Sequence, residues 1–149
     1  MRKIIQGQHN MKEFNSTLKF KNYLVEKIDF DVNYDYSGKD DGIVFDLDSD
    51  YFVENNNFIL NLEAIIFPDA KKNDYPFSMK VKIAGIFEVD MECDIKTKSD
   101  FIEKNSIAIL FPYLRSIITT VSSNANIPAL ILPPINVVSY LEEKRKVTK

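Results

Sequence analysis

The chain has 149 residues, 45% of them hydrophobic and 28% charged, with a formal net charge of −3. This length most simply makes one domain, which buries roughly 68–70% of its unfolded surface, and so small a charge argues against a nucleic-acid partner. The one cysteine, Cys93, excludes an internal disulfide and a multi-cysteine zinc site, and four glycines leave little room for a phosphate-binding loop.

The first residues, Met1-Arg2-Lys3-Ile4-Ile5-Gln6-Gly7-Gln8-His9, lack the apolar core of a signal peptide, and no run approaches the ~18 apolar residues of a membrane span. A cytoplasmic protein without membrane insertion is expected, with residues 1–16 as a mobile N-terminus. From Leu18 to Tyr36 the even positions Leu18, Phe20, Leu24, Ile28, Phe30, Val32, Tyr34 and Tyr36 are apolar. Charged residues stand between them, so the stretch reads as one long half-buried strand, interrupted at Asn22 and Glu26. Turn residues Ser37 to Gly42 lead to a second strand, which sets Phe45, Leu47 and Tyr51 against Asp46, Asp48 and Asp50. Asn55-Asn56-Asn57 makes the next turn, after which Phe58, Leu60, Leu62, Ala64 and Ile66 alternate up to Pro68. The fourth strand alternates Phe77, Met79, Val81, Ile83, Phe87, Val89 and Met91 with polar residues, and Gly85 marks a bulge or a close approach.

After Thr97 the apolar period becomes helical: Ile107, Leu110, Phe111, Leu114, Ile117, Ile118 and Val121, with Ser99 or Asn105 as the N-cap. Pro112 inside this run predicts a kink or a broken turn. A short second helix is expected from Val137 to about Lys146, capped by Asn136, with residues 143–149 as a fraying basic tail. Strands followed by helices make an α+β domain with both helices packed on one sheet face. Between the helices runs a proline-punctuated apolar loop, Ile127 to Asn136, suited to touching something apolar.

Several apparent sites do not hold. Asp46, Asp48 and Asp50 imitate the start of a calcium loop, but Tyr51 stands where glycine is required and Asn57 where the bidentate glutamate is required. His9 is the only histidine, so neither a histidine triad nor a histidine metal site is available, and Cys93 has no base near it in sequence. No catalytic residue, metal or cofactor is expected; the chain does not read as an enzyme.

The order of elements, the strand end Ala84-Gly85-Ile86-Phe87, the helix Ile109-Leu110-Phe111-Pro112-Tyr113-Leu114-Arg115 and the loop Ile127-Pro128-Ala129-Leu130-Ile131-Leu132-Pro133-Pro134-Ile135-Asn136 together resemble the SecB-type export chaperones. The likeness spans about Leu18 to Leu141. It implies a four-stranded antiparallel Greek-key sheet, a homotetramer built as a dimer of dimers, and ATP-independent holding of unfolded or nascent polypeptides. Clients would lie in grooves lined by Tyr34 and Tyr36 of the crossover, Phe45 and Leu47, the linker residues Ile127, Leu130 and Leu132, and Val138 and Leu141. The strand residues also suit a core, and the linker residues suit either place. An open first strand invites a second copy, and Tyr113, Leu114, Ile117 and Ile118 widen the apolar circumference of the long helix enough to touch another helix. The family's acidic docking face for the SecA motor is interrupted here by Lys19, Lys21, Lys27, Lys80 and Lys82, which makes SecA a doubtful partner. The rival reading is a SecB-like chaperone dedicated to one partner, the antitoxin of a toxin-antitoxin system.

Overall fold

Four strands form where apolar alternation predicts them. In the computed structural model, which describes residues 18–89 and 94–148, they are β1 (Leu18–Val32), β2 (Phe45–Glu54), β3 (Asn57–Ile66) and β4 (Phe77–Val89). All pairings are antiparallel in the order β1-β4-β3-β2. Consecutive strands β2, β3 and β4 are neighbours, while β1 lies beside β4 and reaches β2 by a long crossover; this is a Greek key. The N-terminal stretch 1–16, His9, Met91 and Cys93 lie outside the described residues.

Strand β1 is less regular than its sequence pattern suggests. Its ladder with β4 shifts register between Phe20 and Asn22 and again between Val25 and Lys27, so Lys21 and Glu26 are extra residues. After the first bulge the faces exchange: Tyr23 and Val25 turn to the same side as Phe20, and Leu24 turns outward, contrary to the even-position pattern. The second bulge returns Ile28 and Phe30 to the side of Phe20. The strand stops at Asn33, whose buried side chain donates to the Tyr75 carbonyl (2.9 Å) while its main-chain N–H bonds Pro76 (3.0 Å). Tyr34 and Tyr36 therefore lie beyond the strand, in a crossover tied down by the Ser37 N–H on the Asp74 carboxylate (2.9 Å). A short helix, α1 (Ala70–Asn73), sits in the β3–β4 connection between Asp69 and Asp74, both in the left-handed region that Asp tolerates; nothing in the apolar periodicity announces it.

One sheet face forms the core. Leu47 stands opposite Ala64, Ala64 opposite Val81 and Leu62 opposite Ile83, so alternate residues of three strands make one apolar surface. The helical run Ile95–Asn124 covers it, as α2 (Ile95–Asp100), a π-helical turn (Phe101–Asn105) and α3 (Ser106–Asn124). Ile107, Leu110, Leu114 and Ile118 are at most 1% exposed. By length and composition this run could cross a membrane, but the sheet already fills its apolar stripe. The run begins earlier than expected: Asp94, not Ser99 or Asn105, is the N-cap and accepts from the Thr97 N–H at 2.7 Å. Pro112 does not break it; α3 is continuous through that residue, and the irregularity is the π-helical turn that precedes α3. Gly85 is a close approach rather than a bulge. A Cβ there would stand 2.8 Å from Phe87 Cε2 and 3.0 Å from both Leu110 methyls, and β4 pairs with β3 without a register shift.

The loop after α3 is clamped to it. The Leu130 N–H donates to Ser122 Oγ (2.8 Å), and the Thr119 hydroxyl donates to the Leu130 carbonyl (3.0 Å). The loop leads to α4 (Val137–Val147), where Asn136 caps by accepting the Ser139 N–H at 3.1 Å. The tail expected to fray is helical to Val147, because its Lys144 is anchored on β2.

Candidate functional site

Helix α4 lies against β2 through a small polar cluster. Lys144 Nζ donates to both oxygens of Asp46 and to the Leu47 carbonyl, each at 2.9 Å, and the Tyr140 hydroxyl donates to Asp46 at 2.8 Å. The Tyr140 ring stacks on Phe45, centroids 6.1 Å apart. Partial burial raises the Asp46 carboxyl, but the bonds from Lys144 and Tyr140 outweigh it, so its pKa lies below the ordinary carboxylate value. Burial lowers the Lys144 ammonium, and its bond to Asp46 and that charge more than reverse this, leaving its pKa raised. Burial raises the Tyr140 hydroxyl further, with the Asp46 charge acting in the same direction.

Around this latch the residues named from sequence divide. Leu47, Leu132 and Leu141 are buried in the core, and Leu130 is nearly so. The loop is extended there, so Leu130 and Leu132 turn inward and Ile131 between them turns out, 62% exposed. These four leucines pack the chain itself and offer a ligand no surface in this arrangement. Phe45, Ile127 and Val138 are half-buried and pack at the margin of the core. Tyr34 is 93% exposed, and Tyr36, partly exposed, donates its hydroxyl to the Lys39 carbonyl. On α3, Leu114 and Ile118 point into the sheet with no exposure, so they have nothing left for a second helix. Tyr113 and Ile117, with Ile109, lie on the flank towards β1, where the Tyr113 ring is 4.7 Å from Tyr23 and 5.4 Å from Phe20.

On the outward face of the sheet four lysines are paired with carboxylates. Lys21 meets Glu88 at 2.8 Å, Lys27 meets Asp29 at 3.2 Å, Lys80 meets Glu63 at 3.4 Å and Lys82 meets Glu26 at 3.5 Å. The lysines therefore neutralise an acidic face instead of making a basic one. Towards the β2–β3 hairpin the same face becomes apolar: Phe52, Ile59 and Ile86 line a cavity of about 270 Å³ with Lys21 and Glu54.

Among the apolar side chains that are uncovered, Ile28 and Val32 on β1 and Tyr51 on β2 belong to faces the alternation marks as inward, while Val25 on β1, Ile43 before β2, Phe52 and Val53 at the end of β2, and Ile131 are not among the residues so marked. Two of these places carry another signal. Three consecutive apolar residues in an alternating strand must show side chains on both faces, and an apolar residue between two inward leucines of an extended loop must face out. Among the described residues no group of three or more His, Cys, Asp or Glu is placed to hold a metal.

Fold and surface thus define an α+β sheet-and-helix domain with an apolar fringe, whose outer strands β1 and β2 pair with no further strand among the described residues. Its sequence matches the family profile described as preprotein translocase subunit SecB over residues 45–147. The chain belongs to the SecB family, whose members are chaperones. An uncharacterized protein of Methanocaldococcus jannaschii is 40% identical over 129 residues, covering 83% of this chain and 82% of that one. Among solved structures, a SecB-like chaperone of Mycobacterium tuberculosis, in complex with a ChAD peptide from an antitoxin, superposes with a TM-score of 0.60 at 12% identity, covering 79% of this chain and 90% of that one. At that identity the likeness concerns the fold alone.

Proposed function

We propose that this chain is an ATP-independent holding chaperone of the cytoplasm, which keeps unfolded polypeptides on the apolar surface around α4. The observation that carries the reading is the exposure of Ile43 and Ile131, with half-buried Phe45 and Val138 at the margin of a core that is already complete. Apolar surface that the fold does not need, fenced by charged residues, suits capture of apolar segments. Suppression of aggregation of a chemically denatured protein, followed by light scattering without nucleotide, tests it. Wild type should suppress, and Ile131→Ser with Val138→Ser should suppress less while the circular dichroism stays unchanged. If wild type leaves aggregation unaltered, the reading falls.

A second reading is a chaperone dedicated to one antitoxin. The structural relative bound to an antitoxin peptide supports it, and the bound chains co-purified from the native cell decide between one partner and many. For assembly we propose a dimer of dimers. Exposed Val25, Ile28 and Val32 on the open strand β1, together with Ile109, Tyr113 and Ile117 on the adjoining flank of α3, would be covered by further copies. Lys21, Lys27, Lys80 and Lys82, each paired with a carboxylate, interrupt the acidic outward face on which a SecA motor would dock, and calorimetry with the SecA of a SecA-containing cell should show no sub-micromolar complex.

A further inference from the structure

Both main-chain groups of a residue in an antiparallel strand point to one side, and that side alternates along the chain. For β2 two contacts fix the parity. The Phe67 N–H donates to the Val44 carbonyl at 2.9 Å, and the register with β3 is unbroken from Phe45 to Glu54, so even residues bond to β3. The Leu47 carbonyl accepts Lys144 Nζ from the opposite side at 2.9 Å, so odd residues face the free edge. Lys144 covers Leu47, and the Ser49 N–H turns to the Asp48 carboxylate at 2.9 Å. Beyond them the Ser49 carbonyl and both main-chain groups of Tyr51 and Val53 meet no partner among the described residues.

Side chains along this open stretch are apolar on both faces. Tyr51 and Val53 are 45% and 40% exposed on the helix side, and Phe52 is 61% exposed on the other. The neighbouring carboxylates Asp48, Asp50 and Glu54 enter no ion pair among the described residues, although Asp50 accepts a hydrogen bond from Asn61 at 2.6 Å. We propose that Ser49 to Val53 is a strand-addition site: an extended polypeptide segment with alternating apolar side chains and basic flanks binds there main chain to main chain, as a new outermost strand. Main-chain hydrogen bonds read extension rather than sequence, and the acidic rim selects positive flanks. A second copy of β2 suits the edge less well, since antiparallel self-pairing would bring its acidic residues against their like. Helix α4 sets the limit of the site: Lys144 occupies the edge at Leu47 and Arg145 donates to the Ser49 hydroxyl at 3.2 Å, which leaves the Ser49 carbonyl and the main chain of Tyr51 and Val53 as the open stretch. The inference rests on the polypeptide-holding reading and supplies its mode of recognition.

The probe is a fluorescent peptide alternating Val and Thr between terminal lysines, titrated into the full chain and followed by anisotropy. The same peptide with N-methylated main-chain amides cannot pair by either edge and should bind about ten-fold more weakly or worse. Tyr51→Pro removes one outward N–H and no β2–β3 bond, so it should weaken binding beyond Tyr51→Thr, which keeps that donor. Equal binding of the two peptides, equal behaviour of the two variants, or no binding of the plain peptide overturns the proposal. So does a fall in molar mass for Tyr51→Pro with peptide binding intact, which would give the edge to a second copy. The peptide titration decides strand addition and the aggregation assay decides holding, so each can fail while the other stands.

Discussion

The two methyl groups of Leu110 rest on the main chain of β4 at Gly85, close enough that a Cβ on that residue would lie 3.0 Å from each. This contact sets how near α3 comes to the sheet. Leu110 and Phe87 are fully buried and have no free space to retreat into. Gly85→Ala should therefore destabilise the fold by about 1–3 kcal/mol, as overpacking does. Leu110→Ala in the same chain should recover part of that loss, and chemical denaturation of the two single variants and the pair would show the coupling.

The attachment of α4 to β2 has a pH dependence of definite sign. The folded Asp46 carboxyl lies below its ordinary value, so its contribution is complete above about pH 3.9 and is lost as the pH falls through its depressed folded pKa. The Lys144 ammonium lies above its ordinary value, so its contribution is complete below about pH 10.4 and is lost as the pH rises through its raised folded pKa. Both side chains are about a third exposed or more, at 34% and 46%, so the ion pair contributes only about 0.2–1 kcal/mol. Lys144→Met should reduce the acid-side loss of thermal stability measured by circular dichroism; an unchanged acid limb would mean that the pair contributes nothing there.

Adjacent residues of the loop should behave in opposite ways. Leu132 is 1% exposed and Ile131 is 62% exposed. Leu132→Ser should cost about 2–5 kcal/mol, comparable with a core truncation, whereas Ile131→Ser should stay within about 0.5 kcal/mol. Urea denaturation of both variants checks the difference. If both lose stability alike, Ile131 is also a packing residue and leaves the client-binding rim.

Assembly through the flank of α3 makes a distinct prediction. Ile117→Asp places a charge beside exposed Tyr113 and should split tetramers towards dimers in multi-angle light scattering, while Leu114→Asp should unfold the chain, because Leu114 has no exposure. A monodisperse wild-type monomer would remove the proposed tetramer.

The strands, their order of appearance and the inward residues of β3 and β4 were legible in the sequence, because period-two alternation and a buried face are the same fact seen twice. The long helix was legible for a similar reason, apart from its start: Asp94 and Thr97 form the cap in a stretch without apolar periodicity. Alternation could not show which uncovered residues border α4. That depends on Ser122 and Thr119 holding the Leu130 main chain, a tertiary contact between residues whose types suggest only a helix end. The sequence alone therefore points to the linker leucines as groove residues and not to Ile131 as the one left exposed. In β1 the interruptions at Asn22 and Glu26 are visible in the pattern, but their meaning is a bulge at Lys21, beside the first, and a bulge at Glu26 itself, which put Leu24 on the outer face.

Those bulges also bear on how this strand can change in length. Lys21 and Glu26 are each the surplus member of a two-against-one pairing with β4. Deleting either would remove its bulge and leave Phe20, Tyr23, Val25, Ile28 and Phe30 facing as they do now, with the salt bridge to Glu88 or Lys82 as the direct loss. Deleting any single residue from Tyr23 to Val25 would instead put its neighbours out of phase. Relatives shorter by one residue in β1 should accordingly carry their gap at one of these two charged positions or at the adjoining Asn22 or Lys27, leaving the apolar frame from Tyr23 to Val25 intact.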